Sequence, residues 1–210
     1  MNERDRAADR RALARRLRDR LTVDDRVLSA IEAVPRHEFV PPRLRSRAYD
    51  DRPLPIGHDQ TISAPHMVAV MTDLLDLGDG ETVFEVGTGC GYHAAVVAEI
   101  VGPGNVYSVE YVPELARTAS DRLNRLGYDV TVRVGDGREA FDDVSPFDAA
   151  YLTCAAPDGV PDSIVDRVRV GGRLVAPVGD RWSQRLVRLT VEEDGVERED
   201  HGAVRFVPMQ

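Results

Sequence analysis

The segment Val83-Phe84-Glu85-Val86-Gly87-Thr88-Gly89-Cys90-Gly91-Tyr92 decides the fold that this sequence predicts. An apolar run rich in β-branched residues meets three glycines at alternate positions, and a helix-like segment follows over residues 92–101. This order is typical of a strand, a tight turn and a helix, in which the glycines let a ligand approach the backbone closely. The spacing differs from that of the dinucleotide motif, and Glu110 stands where a carboxylate can accept hydrogen bonds from ribose hydroxyls. The segment therefore favours an adenosyl cofactor.

Predicted strands and helices alternate after the glycine turn. Strands are expected over residues 106–110, 130–134, 147–152 and 173–178, and helices over residues 114–126 and 161–168. This alternation predicts an α/β fold with a mostly parallel twisted sheet, right-handed crossovers and helices on both faces. Two alternating segments around Asp194-Gly195 indicate that antiparallel strands complete the sheet at its C-terminal end.

The section before the glycine turn is expected to be helical at first. Apolar stripes predict helices over residues 4–21 and 24–33, the second capped by Thr22 and ended by Pro35. We expect residues 1–47 to form an N-terminal helical cap packed on the main sheet, although an extension that merely covers the core is an equal alternative. Residues 48–79 would form a substrate-side segment and residues 80–210 the cofactor-binding core, together a single domain over residues 1–210.

The composition is acidic and lacks lysine. The formal charge is -9, and all 27 basic residues are arginine. Such a surface suits a salt-rich cytoplasm and a halophilic source, whereas a GC-rich genome would also replace lysine by arginine. Net acidity argues against a nucleic-acid partner, because phosphate contacts need a basic face.

Membrane and metal partners are not expected. The sequence has no apolar run of the length that spans a bilayer, and its start is crowded with charges, which predicts a cytoplasmic protein. Cys90 and Cys154 are far apart and lack the spacing of a zinc site, so two free thiols are the simplest interpretation, with an oxidisable pair as the less favoured one.

Polar residues gather at two kinds of position where ligands bind. Ser63 is predicted at a helix N-cap with His66 in the first turn, an arrangement that can hold a carboxylate, although capping alone would explain Ser63. Four residues stand at predicted strand ends and should therefore meet at one rim of the sheet: Gly87, Glu110, Asp136 and Thr153.

Several segments together resemble the protein-L-isoaspartate O-methyltransferase family of class I methyltransferases. The resemblance covers nearly the whole chain, and its most distinctive segment surrounds Ser63. Its other parts are the glycine motif and the segments Val34 to Pro41, Gly135 to Gly137, Ala155 to Pro157 and Arg205 to Pro208.

The resemblance implies a Rossmann-like fold that binds S-adenosyl-L-methionine, with S-adenosyl-L-homocysteine as product, and isoaspartyl proteins and peptides as partners. We expect the protein to be a monomer. Ser63 matches the active-site residue. The implied substrate-binding residues are Thr61, Ile62, His66, Arg205 and Val207. The implied cofactor-binding residues are Glu85, Gly87, Thr88, Gly89, Gly91, Tyr92, Glu110, Tyr111, Asp136, Gly137 and Thr153. No metal is implied.

The implied chemistry makes small demands on proton transfer. An ionised carboxylate can attack the methyl sulfonium directly, so alignment of the reacting atoms and exclusion of water should supply most of the rate. Ser63 would orient the carboxylate rather than attack. In the family the ester then collapses to a succinimide, whose hydrolysis returns some normal aspartate.

Some residues differ from the family's usual forms. Cys90 stands where serine is common, His93 where glutamine is common, and Tyr111 where arginine is common. Two alternatives therefore stay open: a methyltransferase of the same fold acting on another substrate, and a non-catalytic module that binds the cofactor.

Overall fold

The computed structural model describes residues 3–210 and begins with two helices. Helix α1 spans Glu3–Arg18 and helix α2 spans Asp25–Ala33. The N-cap of α2 is Asp24, whose carboxylate accepts a hydrogen bond from the backbone nitrogen of Arg26 at 2.7 Å. The prediction that Thr22 caps this helix is therefore wrong, because a carboxylate nearer to the first turn takes the free N–H group.

The N-terminal helices form an outer layer. Helix α2 packs against helices α3 (Pro65–Leu74) and α4 (Tyr92–Val101), and α1 packs against α2. The predicted packing on the sheet is thus indirect, since α2 packs on α4, which in turn packs on two strands of the sheet. Two short 3-10 helices, Arg36–Glu38 and Pro42–Arg47, continue the chain from this layer toward the sheet rim.

A small hairpin precedes α3 and was not predicted. Strand β1 (Leu54–Gly57) pairs antiparallel with strand β2 (Gln60–Ile62). The turn residues His58 and Asp59 both have positive φ, 51° and 57°, which matches the twist of a two-residue hairpin turn. Asparagine and glycine usually occupy such positions, so the residues His58 and Asp59 do not predict this turn.

The main sheet has seven strands. They are β3 (Val83–Val86), β4 (Val106–Glu110), β5 (Val130–Val134), β6 (Phe147–Leu152), β7 (Val168–Gly179), β8 (Gln184–Glu192) and β9 (Gly195–Val204). The spatial order is β5-β4-β3-β6-β7-β8-β9. Strands β3 to β7 are parallel, and β8 and β9 add antiparallel pairs. The predicted parallel sheet with antiparallel strands at its C-terminal end is therefore confirmed.

The helices that link these strands are unequal in length. Helix α5 spans Pro113–Leu126, whereas α6 spans only Asp162–Val165 and ends before its predicted limit. Strand β7 begins at Val168 rather than at the predicted Arg173, because Val168 already pairs with Phe147 across an irregular stretch of the ladder. Within residues 3–210, no helix is both long and apolar enough to cross a membrane.

The order in which successive strands are added to the sheet reverses at β3. Its neighbours are β4 on one side and β6 on the other, so the connections that leave them diverge. A crevice opens at the carboxyl ends of the strands at such a switch point, and ligands bind there in open α/β sheets. Buried apolar residues fill both faces of the sheet, and on the face away from α4 they include the aromatic contacts of Phe84 with Phe141 and Phe147.

Candidate active site

A cavity of about 860 Å³, open mouth included, lies at the carboxyl ends of β3, β4 and β6. The predicted site residues that line it are Thr61, Ile62, Ser63, Glu85, Gly87, Thr88, Gly89, Tyr92, Glu110, Tyr111, Asp136, Gly137, Thr153 and Val207. The structure thus brings the hairpin, the glycine turn, the strand ends and the C-terminal tail around one space. The four strand-end residues meet at one rim, as their positions predicted.

Three predicted site residues are not among those that line this cavity. Gly91 is the N-cap residue of α4 and has a φ of +87°, and a β-carbon at this position would contact Leu123 of α5 rather than the cavity. His66 is held outside by Asp51, whose carboxylate lies 2.8 Å from the imidazole Nδ1. Arg205 is exposed and follows the end of β9, so it does not belong to a closing strand as expected.

The cavity is also lined by residues that are absent from the predicted site. Cys90, His93 and Cys154 are among them, and they carry no recognisable ligand pattern. The others are Gln60, Val68, Val86, Val109, Val112, Gly135, Pro208, Met209 and Gln210. Most of these additional residues are next to a predicted site residue in the sequence, and this adjacency is the signal that could have identified them.

Glu110 joins the ends of two neighbouring strands. One carboxylate oxygen accepts a hydrogen bond from the backbone nitrogen of Gly89 at 2.8 Å, and the other accepts one from Val112 at 3.0 Å. A carboxylate can accept about four hydrogen bonds, so both oxygens retain capacity for ligand hydroxyls. The geometry fits the predicted contact with a ribose diol.

Asp136 is tied to an arginine. The side chain of Arg138 contacts both carboxylate oxygens, with Nε at 2.9 and 3.0 Å. This pairing lowers the pKa of Asp136, so the carboxylate stays ionised at neutral pH. Arg138 also donates to the backbone carbonyl of Gln210 at 3.3 Å, which connects the acid to the C-terminal tail.

Glu85 lies in the middle of β3 and is fully buried. Its carboxylate accepts a hydrogen bond from the Ser108 hydroxyl at 2.5 Å and one from the Tyr151 hydroxyl at 2.8 Å. Because Ser108 donates to Glu85, the 2.5 Å contact between Thr88 and Ser108 must have Thr88 as its donor. Burial outweighs these donors and raises the pKa of Glu85 to about 8.

His93 packs on Tyr151, one of the two residues that donate a hydrogen bond to Glu85. Its ring lies 4.3 Å from the Tyr151 ring, and Nε2 is 3.0 Å from the Thr72 hydroxyl. Burial lowers the pKa of His93 to about 3, so the imidazole is neutral throughout the physiological range.

Ser63 stands next to the helix α3 but does not cap it. The N-cap position is taken by Ala64, which has no side chain able to cap, so the predicted capping role is wrong. The Ser63 hydroxyl lines the cavity and has no hydrogen-bond partner among the described residues. A half-buried hydroxyl without a protein partner is available to a ligand.

The two cysteines are both free thiols, as the simpler interpretation predicted. Burial raises the pKa of Cys90 and raises that of Cys154 to about 12, so both remain protonated. Among residues 3–210, no group of three or more potential ligands is placed to hold a metal ion.

The C-terminal tail closes one side of the cavity. The backbone of Ala155 donates to the carbonyl of Val207 at 2.8 Å and accepts from Met209 at 2.9 Å. The Gln184 side chain holds Phe206 by two further hydrogen bonds, of 2.6 and 3.1 Å. The tail is therefore anchored to the strand ends rather than lying free over the site.

The cavity has the features that an adenosyl cofactor requires. The glycine turn exposes backbone, and Gly87 leaves no room for a β-carbon beside the Thr153 hydroxyl. Two carboxylates, from Glu110 and Asp136, suit a ligand that carries hydroxyls and positive charge. The fold and site together define a Rossmann-like methyltransferase of class I. The chain belongs to the protein-L-isoaspartate(D-aspartate) O-methyltransferase family, whose family model matches residues 8–210.

Relatives named protein-L-isoaspartate O-methyltransferases are similar over most of the chain. Protein-L-isoaspartate O-methyltransferase 1 of Archaeoglobus fulgidus is 52% identical over 202 residues, which cover 95% of this chain and 92% of the relative. The Methanopyrus kandleri protein-L-isoaspartate O-methyltransferase is 53% identical over 189 residues, with 88% and 83% covered.

Solved structures have the same architecture. One protein-L-isoaspartate O-methyltransferase superposes with a TM-score of 0.86 at 28% identity; the match covers 95% of this chain and spans 65% of the other. A Plasmodium falciparum structure described under the same enzyme name, in complex with S-adenosyl-L-homocysteine, has a TM-score of 0.81 at 24% identity, with 95% and 97% covered. The second comparison supports the fold alone.

Proposed function

We propose that this protein transfers a methyl group from S-adenosyl-L-methionine to the side-chain carboxylate of L-isoaspartyl residues in damaged proteins. The observation that carries the proposal is the Ser63 hydroxyl, which has no hydrogen-bond partner within the described part of the chain and belongs to the same cavity as the glycine turn and Glu110. One space thus offers a polar group for a methyl acceptor beside a site for an adenosyl methyl donor. Family membership supports the same activity.

The cofactor side of the cavity is assigned to the strand ends. Glu110 would hold the ribose hydroxyls, and Asp136 with Gly137 would border the adenine. Tyr111 is 55% exposed at the cavity edge, where its ring can cover an apolar ligand face. The remaining proposed cofactor residues that line the cavity are Glu85, Gly87, Thr88, Gly89, Tyr92 and Thr153.

The substrate side is assigned to the segment after the hairpin. Thr61, Ile62 and Ser63 line the cavity from one direction, and Val207 lines it from the anchored tail. His66 and Arg205 would contact a bound protein only outside the cavity, because Asp51 holds His66 and Arg205 is exposed.

The chain's own residues position the reactants. The bound cofactor supplies an electrophilic methyl sulfonium, which an ionised carboxylate attacks without a strong base. Ser63 would donate a hydrogen bond that orients the attacking carboxylate. Because the attacking carboxylate is already ionised, no base is required, and alignment and exclusion of water supply most of the rate, effects worth about 7–11 kcal/mol when geometry is good. As in the family, the ester would then collapse to a succinimide.

The proposed setting is a monomeric single domain in a reducing, salt-rich cytoplasm, without nucleic-acid or membrane partners. Two free thiols support a reducing compartment. The charge of -9 and the absence of lysine support the salt-rich environment and disfavour a phosphate backbone as partner.

Transfer of labelled methyl groups tests this function. The acceptors are an isoaspartyl peptide and its twin with a normal aspartyl residue, each assayed at low and high salt. We expect strong preference for the isoaspartyl peptide. Equal labelling of both peptides would contradict the proposal, and methylation of small molecules alone would favour another methyltransferase of this fold.

A further inference from the structure

Trp182 is the only tryptophan of the chain, and it is 79% exposed. It lies in the turn of residues 180–183 between β7 and β8. The guanidinium of Arg181 lies over the Trp182 ring, 4.5 Å from its centroid. Most of the indole nevertheless stays in water, although burial of a tryptophan against a partner is favourable and this residue type is enriched where proteins bind one another. The turn therefore presents an apolar contact surface.

The turn that carries Trp182 has a fixed shape. The Asp180 carboxylate accepts hydrogen bonds from the backbone nitrogens of Trp182 and Ser183, at 2.8 and 2.9 Å. Gly179 has a φ of +130°, and a β-carbon at this position would collide with the Ser183 carbonyl group. Because the backbone on both sides of the indole is held, a partner that binds Trp182 does not have to order a loop first.

The Trp182 turn stands at the same rim of the sheet as the cavity. Strand β7 is parallel to β6, which is parallel to β3, so the carboxyl end of β7 at Gly179 lies on the side where those strands end. The side chain of Gln184, which follows the turn, holds Phe206 by two hydrogen bonds. The next residue of the tail, Val207, lines the cavity. The turn and the proposed substrate side of the cavity are thus joined by direct contacts.

The path from Trp182 to the cavity is short. Two steps along the chain lead from Trp182 to Gln184, which pairs with Val204, and three more lead from Val204 to Val207. At about 3.8 Å per step and about 5.5 Å across the pair, the Cα atoms of Trp182 and Val207 lie within about 25 Å of each other. An extended peptide spans about 3.3–3.6 Å per residue, so a flank of about eight residues covers this distance.

The charge at this corner of the molecule favours an acidic partner. Arg181 and Arg205 are both exposed, and neither has an ion-pair partner within the part of the chain that the structure describes. The acid of the turn, Asp180, is already occupied by backbone nitrogens. Two exposed cations beside an indole, on a chain with a formal charge of -9, suit carboxylates next to an apolar side chain.

We propose that Trp182 and Arg181 bind the segment that flanks the isoaspartyl residue of a protein substrate. Trp182 takes an aromatic or large aliphatic side chain of that segment, and Arg181 takes a neighbouring carboxylate. The turn thereby makes long, apolar and acidic flanks better substrates than short ones. This inference rests on the proposed function, because it places the isoaspartyl residue of the same substrate in the cavity.

Fluorescence tests the contact directly, since Trp182 is the only tryptophan that emits. The probes are isoaspartyl peptides with a flank of about eight residues that alternates phenylalanine and glutamate, placed before the isoaspartyl residue in one peptide and after it in the other. S-adenosyl-L-homocysteine is present, so no methyl group is transferred. At least one probe should shift the emission to shorter wavelength and saturate. A flank of alanine and glutamate should shift it less, and a peptide with one residue on each side should not shift it.

Steady-state methylation separates binding from chemistry. Trp182→Ala should raise KM for the responding long peptide by roughly three- to tenfold, with kcat unchanged and with the short peptide unaffected. Trp182→Phe should restore most of the lost affinity. Arg181→Gln should remove the advantage of the glutamate flank over a glutamine flank. Val196→Ala, a change at another exposed apolar residue in the turn-proximal part of β9 far from this rim, is the matched control and should leave every KM unchanged.

The outcomes separate the two proposals. Unchanged emission with long peptides that are methylated would overturn the role of Trp182 and leave the methyltransferase proposal intact. An emission shift that follows protein concentration without peptide would assign the turn to a second copy of this chain and also overturn the inference. An emission shift by long peptides that are never methylated would support the contact and contradict the proposed function.

Discussion

The Glu110 carboxylate, at the end of β4, lies 2.8 Å from the backbone nitrogen of Gly89 in the turn that leaves β3. One side chain thus fixes the glycine turn from the neighbouring strand and keeps its remaining acceptor capacity toward the cavity. Any ligand that bonds to Glu110 therefore meets a turn that the same carboxylate has already ordered.

Replacement of Glu110 by alanine should weaken the binding of S-adenosyl-L-homocysteine by about 10- to 100-fold, since hydrogen bonds to a charged group contribute roughly 1.5–3 kcal/mol. The dissociation constant from calorimetry measures the effect. Asp121→Ala, on the outer part of α5 and away from the cavity, is the control and should leave the constant unchanged. A normal constant for Glu110→Ala would remove Glu110 from the cofactor site.

Ser63→Ala should lower kcat by about tenfold or more with little change in cofactor affinity, because the hydroxyl has no partner among residues 3–210 and is proposed to orient a charged acceptor. Steady-state methylation of an isoaspartyl peptide checks this result. Ser46→Ala, an exposed change in the second 3-10 helix, is the matched control. Unchanged kcat for Ser63→Ala would leave this residue without a catalytic role.

Arg138→Ala should weaken cofactor binding only a few-fold, roughly two- to fivefold, because an exposed arginine contributes modestly even when it orients an acid. Loss of the Arg138 contacts should also raise the pKa of Asp136 toward its ordinary value. Carbon-13 NMR titration of the Asp136 carboxyl group measures that rise. Arg133→Ala, which breaks a similar exposed pair with Asp143, should affect neither quantity.

Stability without ligand should fall as pH rises from about 5 to 8. The folded-state pKa of Glu85 is raised to about 8 from 4.5, so the unfolded chain releases this proton first and is favoured as pH increases. Relative to Glu85→Gln, the wild-type chain should lose about 2–4 kcal/mol of unfolding free energy over this interval. Urea unfolding at pH 5, 6.5 and 8 provides the comparison, and parallel curves for the two proteins would refute the prediction.

Arg36→Ala should destabilise the fold by about 3 kcal/mol or more. Arg36 is fully buried, donates to the carbonyl oxygens of Ala48 and Arg52, and lies over the Tyr92 ring. Its removal leaves a cavity and unpaired carbonyl groups. Chemical denaturation measures the loss of unfolding free energy. Arg43→Ala, a change at an exposed arginine, is the control and should change stability by less than about 0.5 kcal/mol.

Periodic patterns were sufficient to predict the sheet and its rim. The strands around Val83 and Val106 are short apolar runs bounded by glycine and polar residues, and their boundaries agree with the structure. Because parallel strands place their carboxyl ends together, the meeting of Glu110 and Asp136 followed from topology alone.

Local signals failed where tertiary contacts decide the conformation. Asp24 rather than Thr22 caps α2, and Ala64 rather than Ser63 precedes α3, differences of one or two residues that patterns do not resolve. The position of His66 depends on its contact with the Asp51 carboxylate, and that of Arg205 depends on where β9 ends. The hydrogen-bond partners of Glu85 could not be predicted from the sequence either, because Ser108 and Tyr151 belong to two other strands.

The cavity is assembled from chain segments as distant as Gln60 and Gln210, with the parallel strands between them. Opening of the sheet would therefore destroy the binding site, and a bound ligand must oppose unfolding of most of the chain. By mass action, a ligand at about a hundred times its dissociation constant adds about 2.7 kcal/mol to the stability of the folded state. The cellular supply of cofactor would then govern the protein's lifetime against proteases as well as its rate of turnover.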